Sequence, residues 1–204
     1  MTDLNSLLGD IDIYLLDQLL RRRIAAGMKI LDAGCGFGRN LVFLLAQGFE
    51  VFGADADPRA LDAIRNLAAT ASPSLPRDNF RLEPVESMSF PDAIADVVVS
   101  SAVLHFARDD QHFRAMLQGT WRVLKPGGLL FCRLASSIGI ENQIERIEGR
   151  RFHLPDGSER YLVDADLLFK LTGELGGRLA DPLKTTVVHD QRSMTTWVVR
   201  KNST

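Results

Sequence analysis

Four residues near the start of the chain are spaced for ligand chemistry. Asp32 stands two positions before Gly34, and Gly36 and Gly38 follow at alternate positions in "ILDAGCGFGRN". Missing side chains let a ligand lie against the backbone. Asp55 ends the next strand-like segment, where a carboxylate accepts hydrogen bonds from the two hydroxyls of a ribose. Dinucleotide sites use a G-x-G-x-x-G spacing and seat a pyrophosphate on a helix N-terminus. Here the spacing is G-x-G-x-G, and a carboxylate beside a diphosphate is unfavourable, whereas a carboxylate beside a sulfonium or ammonium is favourable. A cationic ligand that carries a ribose meets both demands, and S-adenosylmethionine is such a ligand. His105 follows a later strand-like run, "ADVVVSSAV", at the rim where a second reactant would sit. An imidazole with an ordinary pKa of about 6.5 can accept a proton near neutrality. His105 is therefore the candidate general base, with packing or helix capping as the alternative.

These residues need a sheet edge to bring them together. Strand-like and helix-like segments alternate from residue 28 onward. "MKILDA" reads as a buried strand, "RNLVFLLAQG" as a helix closed by Gly48, and "FEVFGAD" as a strand. "DPRALDAIRNLAA" is a helix with Asp57 as N-cap and Pro58 at its first position. "NFRLEPV" and "ADVVVSSAV" are strands, "DQHFRAMLQGTWRVL" a helix, "KPGG" a turn and "LLFCRLA" a strand. Before them, residues 11–23 form a helix whose closing arginines read as a solvated end. After them, "RRFHLPDGSERYLV" alternates around a Pro-Asp-Gly turn as a hairpin, "DADLLFKLTGEL" is a helix, and "LADPLKTTVVHD" and "MTTWVVRK" are two strands. The pattern predicts an α/β fold, with a mostly parallel sheet covered by helices on both faces and an antiparallel C-terminal strand pair.

Composition bounds the function. The 204 residues are 46% hydrophobic and 25% charged, which suits one globular domain. The net charge of −2 gives no overall basic field for nucleic acid or an anionic membrane. No apolar run reaches the roughly 18 residues of a membrane span. The acidic opening "MTDLNSLLGD" lacks the pattern of a signal peptide. Cys35 and Cys132 form no C-x-x-C pair, so neither zinc nor a disulfide is expected, and the protein is expected to be reduced and cytoplasmic. His112, His153 and His189 lack metal-ligand spacing and read as surface or structural residues, and Trp121 and Trp197 read as core.

"ILDAGCGFGRN", "VFGADADPRAL", "ADVVVSSAVLHF" and "WRVLKPGGLL" resemble, in order and spacing, the successive motifs of class I S-adenosylmethionine-dependent methyltransferases. The resemblance covers residues 28–135. "GCGFGRNLVFLLAQGFEVFGAD" is most similar to the tellurite-resistance-type branch, whose acceptors are small molecules. The resemblance implies a Rossmann-like, seven-stranded sheet with S-adenosylmethionine as cofactor. It implies that Asp32, Gly34 and Gly36 face the methionine end, Asp55 the ribose and Ala56 the adenine. Ser100 and Ser101 would contact the methionine end and face the transferred methyl. Where relatives carry an acid and a small residue beside the adenine, this chain has Pro84 and Val85, so Glu86 becomes the substitute, with the Val85 and Glu86 backbone reading the ring. Arg39 is expected on the cofactor's carboxylate or on an internal acid.

The expected organisation is one domain, residues 1–204. It comprises an N-terminal helical segment (1–27), a cofactor-binding core (28–135), a loop and hairpin placed as a lid or a plain connector (136–163), and a closing helix and strands (164–204). The expected reaction is in-line transfer of the methyl group to a small-molecule acceptor. Nucleic acid is disfavoured by the charge and by "SSAVL", which stands where base-methylating enzymes carry an Asn/Asp-Pro-Pro-aromatic motif. The rival readings are a non-catalytic S-adenosylmethionine-binding regulatory protein and a nicotinamide-dependent oxidoreductase. Oligomeric state is not readable.

Overall fold

Buried apolar strands joined by amphipathic helices can hide both faces only as a layered α/β sheet, and the computed structural model, which describes residues 4–203, has that form. In chain order it contains α1 (Leu4–Leu8), α2 (Ile13–Leu20), β1 (Lys29–Ala33), α3 (Val42–Ala46), β2 (Glu50–Asp55), α4 (Pro58–Ala71), β3 (Phe80–Leu82) and β4 (Ala95–Ser101). It continues with α5 (Asp110–Arg122), β5 (Leu124–Ala135), β6 (Glu145–Glu148), β7 (Arg151–His153), β8 (Glu159–Tyr161), α6 (Ala165–Glu174), β9 (Gly177–Leu179), β10 (Lys184–Val188) and β11 (Arg192–Lys201). The main sheet runs β10-β11-β5-β4-β1-β2-β3. β1 to β5 are mutually parallel, and β11 is antiparallel to β5 and β10. The chain leaves β1 in one direction toward β2 and returns on its other side as β4. The C-terminal ends of β1 and β4 therefore flank the point where strand order reverses, the place where open α/β sheets bind ligands.

The sheet has eight strands, not seven. The stretch expected as one strand, 179–190, is interrupted: β9 ends at Leu179, β10 begins only at Lys184, and both pair with β11. Pro182 lies between them and has no N–H to give the ladder. Its neighbour Asp181 is 5% exposed and accepts from Gln18 Nε2 at 2.9 Å. Arg21 and Arg23 pair with the same carboxylate at 3.2 and 2.7 Å. The arginines after α2 are thus not a simple solvated end. They clamp that helix to the sheet edge and neutralise a buried carboxylate.

"KPGG" also differs from expectation. It lies inside β5 as a wide bulge: Ala95 pairs with Leu124, but Val97 pairs with Leu129. Gly127 supplies the left-handed backbone that the detour requires (φ 75°). The helices begin as their acids dictate. Asp57, Asp109 and Asp164 cap α4, α5 and α6 by accepting from Arg59, His112 and Leu167 N–H. Trp197 is fully buried, with its indole N–H on Thr172 Oγ1 at 3.0 Å, and Trp121 is buried on the same face.

Residues 136–163 include the expected hairpin, β7 and β8, with β6 added as a third strand. Every β6 residue is exposed, so it has no apolar alternation to announce it. Tyr161 and Val163 are buried in the main core, and Tyr161 stacks on Phe113 with centroids 4.5 Å apart. Leu154 is buried with Leu162 in a small satellite cluster, and half-buried Phe152 packs against it. The hairpin is therefore bolted to the sheet edge that bears the ends of β4 and β5.

Candidate functional site

A cavity of about 570 Å³ opens at the C-terminal ends of β1, β2 and β4. Seven of the nine residues assigned to the cofactor from the sequence line it: Gly34, Gly36, Asp55, Ala56, Val85, Glu86 and Ser101. Asp32 and Ser100 are not on its wall. Both are buried beneath it, at 2% and 0% exposure.

The three glycines serve two different ends. Gly34 has φ 83°, and a Cβ there would meet Val103 Cγ2 at 2.4 Å. Gly38 has φ 81°, and a Cβ there would meet Ile64 Cδ1 of α4 at 2.3 Å. Those two admit the protein's own side chains. Gly36 alone faces open space: a Cβ would meet nothing within 4 Å. The loop is held by Asp55, whose Oδ2 accepts from Gly36 N–H at 2.7 Å and whose Oδ1 accepts from Asp57 N–H at 2.9 Å. Each oxygen retains a further lone pair for a diol.

The acid beneath the loop has unusual electrostatics. Burial pushes Asp32 up to about 8; Arg39 opposes the shift and Asp55 adds to it. Its Oδ1 is buried with no hydrogen-bond partner. A carboxyl raised this far would keep its proton at neutral pH and would give it up to pair with a bound cation. Binding of a cationic ligand should therefore tighten as pH rises toward about 8 and level off above it, by at most about tenfold per pH unit. Stability runs the other way. A folded-state pKa above the unfolded value favours the fold at low pH, and that contribution is lost as pH rises through about 8. Asp32→Asn should flatten both curves. Calorimetry of S-adenosylmethionine binding from pH 6 to 9, with proton release read from two buffers, checks the first; an affinity independent of pH in the wild type would refute it.

The opposite wall includes His112, which reads from the sequence as a surface or structural residue, and Met116, which the sequence did not single out. His112 Nδ1 accepts from Arg108 N–H at 3.2 Å, so Nε2 carries the hydrogen and donates to Glu86 Oε1 at 3.1 Å. His112 and Met116 lie four residues apart on α5 and reach the cavity together. That spacing is the signal that could have found them. α5 approaches this closely because residue 119 is glycine: a Cβ there would meet Val85 O at 2.2 Å. Phe37 and Phe106 line the cavity while 67% and 58% exposed, an apolar rim that a ligand would cover. Arg39 donates to Ser101 Oγ at 2.9 Å and to Asp10 O at 3.4 Å.

His105 lies outside this cavity. It is 5% exposed, and its Nδ1 accepts from Ala135 N–H at 3.1 Å. Burial, helped by Arg160, holds its pKa down at about 4. In the neutral ring the remaining nitrogen, Nε2, carries the hydrogen. His105 and Arg39 line a second cavity of about 440 Å³, which adjoins the first along Arg39, Ala102 and Phe106. Ala102, the shared residue after β4, has φ 64° and donates its N–H to Arg133 O at 2.7 Å. A left-handed alanine is strained, and strain of this kind concentrates at functional turns.

The fold and cavities define an α/β domain with a ligand-sized cleft at the switch point of its sheet. A family model described as a methyltransferase domain matches residues 31–132, half of the 204-residue chain. The chain belongs to this family of methyltransferase domains. An uncharacterized methyltransferase of Synechocystis is 34% identical over 52% of this chain and 46% of its own length. A malonyl-[acyl-carrier protein] O-methyltransferase of Serratia marcescens is 33% identical over 54% and 40%. A tRNA 5-carboxymethoxyuridine methyltransferase of Escherichia coli is 26% identical over 61% and 47%. The chain thus matches less than half the length of each of these relatives. Among solved structures, a methyltransferase of Methanosarcina mazei superposes with a TM-score of 0.72 at 21% identity, over 91% of this chain and 98% of that one. The 1,6-didemethyltoxoflavin-N1-methyltransferase of Burkholderia thailandensis, solved with 1,6-didemethyltoxoflavin and S-adenosylhomocysteine, gives 0.70 at 18% identity, over 98% and 82%. At those identities both show the fold.

Proposed function

We propose that this domain moves the methyl group of S-adenosylmethionine to a small molecule held in the second cavity. The observation that carries this is the junction of the two cavities, where Arg39, Ala102 and Phe106 line both. The bound sulfonium supplies a reactive methyl group. An acceptor lone pair bonds to the methyl carbon as the carbon–sulfur bond breaks, leaving a methylated acceptor and S-adenosylhomocysteine. The protein's task is to align the two reactants and exclude water.

The residue roles follow the walls. Asp55 takes the ribose hydroxyls. Ala56 and Val85 flank the adenine, with the Glu86–His112 pair at its edge. Gly34, Gly36 and the Arg39–Ser101 pair face the methionine end, with Asp32 and Ser100 behind it. His105, in this proposal, is not a base: its accepting nitrogen is occupied and its pKa is held down, so it fixes the β4 turn against β5 and presents a donor. The acceptor then needs no deprotonation, as for a ligand already ionised or a soft nucleophile.

A small acceptor is favoured over tRNA by the hairpin residues Leu154, Ser158 and Arg160, which wall the second cavity, and by the net charge of −2. The similarity of residues 34–55 to the tellurite-resistance-type branch agrees with it. In this reading the chain acts as one domain in the cytoplasm, with residues 136–163 covering the acceptor. No described helix is long and apolar enough to cross a membrane. A non-catalytic binding protein is disfavoured because its acceptor side would be plugged, and here a cavity of about 440 Å³ adjoins the cofactor wall. Calorimetry is expected to show S-adenosylhomocysteine binding and no comparable NAD binding, and labelled S-adenosylmethionine should label a small-molecule pool. Preferential NAD binding would overturn the proposal.

A further inference from the structure

The second cavity is strongly basic in an acidic protein. Four arginines line it, Arg39, Arg133, Arg160 and Arg192, against one acid, Asp156, while the chain as a whole carries −2. Asp156 Oδ1 accepts from Ser158 N–H at 3.0 Å and from the Ser158 hydroxyl, and its one negative charge is shared between Arg160 and Arg192, so it offsets only part of the positive charge. Two of the arginines are braced from behind. Arg133 pairs with buried Asp12 at 3.2 Å, yet its Nε is buried without a partner. Arg39 is held by Ser101 and Asp10. Arg160 lies over the Phe106 ring at 4.8 Å and spends one N–H on Glu159 O, which sets its guanidinium beside the junction of the cavities. Arg192 is exposed at the start of β11. A cluster of like charges persists at a cavity only against self-repulsion, and an unpartnered buried N–H costs free energy. An anion relieves both.

We infer that the acceptor is a small organic carboxylate, gripped through its carboxyl group by Arg160 and Arg192 with Arg133 behind them. The inference rests on the methyl-transfer reading and deepens it. Guanidinium forks match a planar carboxylate with two parallel hydrogen bonds. Phosphate shares the charge but is commonly seated on free backbone N–H groups. The Ala102 and Ala135 N–H groups at this cavity are already given to Arg133 O and His105 Nδ1. The remaining lining includes Leu154, Val188 and Met194, apolar side chains for the body of an acid.

The test uses the full chain saturated with S-adenosylhomocysteine. Calorimetry and thermal shift are measured with benzoate and hexanoate, with benzamide and hexanamide, and with inorganic phosphate, at constant ionic strength. The carboxylates should bind saturably and at least tenfold more tightly than their amides. Arg160→Gln/Arg192→Gln should lose at least tenfold in carboxylate affinity while S-adenosylhomocysteine affinity stays within twofold. Amides binding as well as acids, no binding by either acid, or a double variant that binds them unchanged would overturn the inference. So would phosphate binding without carboxylate binding, which would mark a phosphorylated acceptor, or displacement of benzoate by tRNA, which would mark a nucleic acid. Failure of S-adenosylhomocysteine to bind would instead strike the methyl-transfer reading, and the carboxylate titration of the ligand-free protein would still decide what the arginines hold.

Discussion

Asp55→Ala is expected to weaken S-adenosylhomocysteine binding by about 10- to 100-fold, because a hydrogen bond to a charged group contributes about 1.5–3 kcal/mol. Asp55 serves both ligand and loop in this account. Its Oδ2 holds Gly36 N–H and its Oδ1 holds Asp57 N–H, so the alanine variant loses the ribose acceptor and also frees the glycine turn that forms the cavity wall. Asp55→Asn separates the two roles. It keeps the shape but turns an amide nitrogen toward one of these N–H donors or toward the ribose, so it should also bind weakly while remaining folded. Calorimetry beside circular dichroism reads the result. A folded alanine variant with an affinity within twofold of the wild type would show that the ribose lies elsewhere.

The sequence was most informative where local and global demands agree. Strands buried on both faces are continuous apolar runs, and the helices between them open on Asp57, Asp109 and Asp164 as capping chemistry requires. The seven lining residues were legible because the end of each strand fixes which residues reach the cavity. What was hidden depends on contacts between distant segments. Gln18 sits at a helical position that an apolar residue would normally fill, and its use appears only when Asp181 arrives at 2.9 Å. β6 has no buried face and so no periodicity. "KPGG" has turn composition, yet the strand continues through it because the neighbouring β4 pairs on both sides of the bulge. His105 follows β4 as its sequence position implies, but its burial and its wiring depend on Ala135, thirty residues away. The arginine cluster was invisible for the same reason: its members come from the glycine loop, β5, β8 and β11.

The glycine loop yields the sharpest contrast. Gly38→Ala and Gly36→Ala both place a methyl group on a left-handed backbone, at φ 81° and 50°, which costs roughly 1–2 kcal/mol in either case. At Gly38 the methyl would also stand 2.3 Å from Ile64 Cδ1 and 3.1 Å from Leu67 Cδ2, so the fully buried Ile64 side chain must change its packing or α4 must shift. Overpacking adds about 1–3 kcal/mol, and urea unfolding should show Gly38→Ala as the less stable variant by that margin. At Gly36 the methyl would meet no protein atom within 4 Å, and the residue lines the cofactor cavity. Gly36→Ala should therefore stay closer to wild-type stability yet lose at least tenfold in S-adenosylhomocysteine affinity, because the space it fills is the ligand's. Measured together, stability and affinity should rank the two variants in opposite orders. If Gly36→Ala binds S-adenosylhomocysteine like the wild type, the open space beside that glycine does not receive the ligand, and Gly36 would serve only the left-handed backbone of the turn.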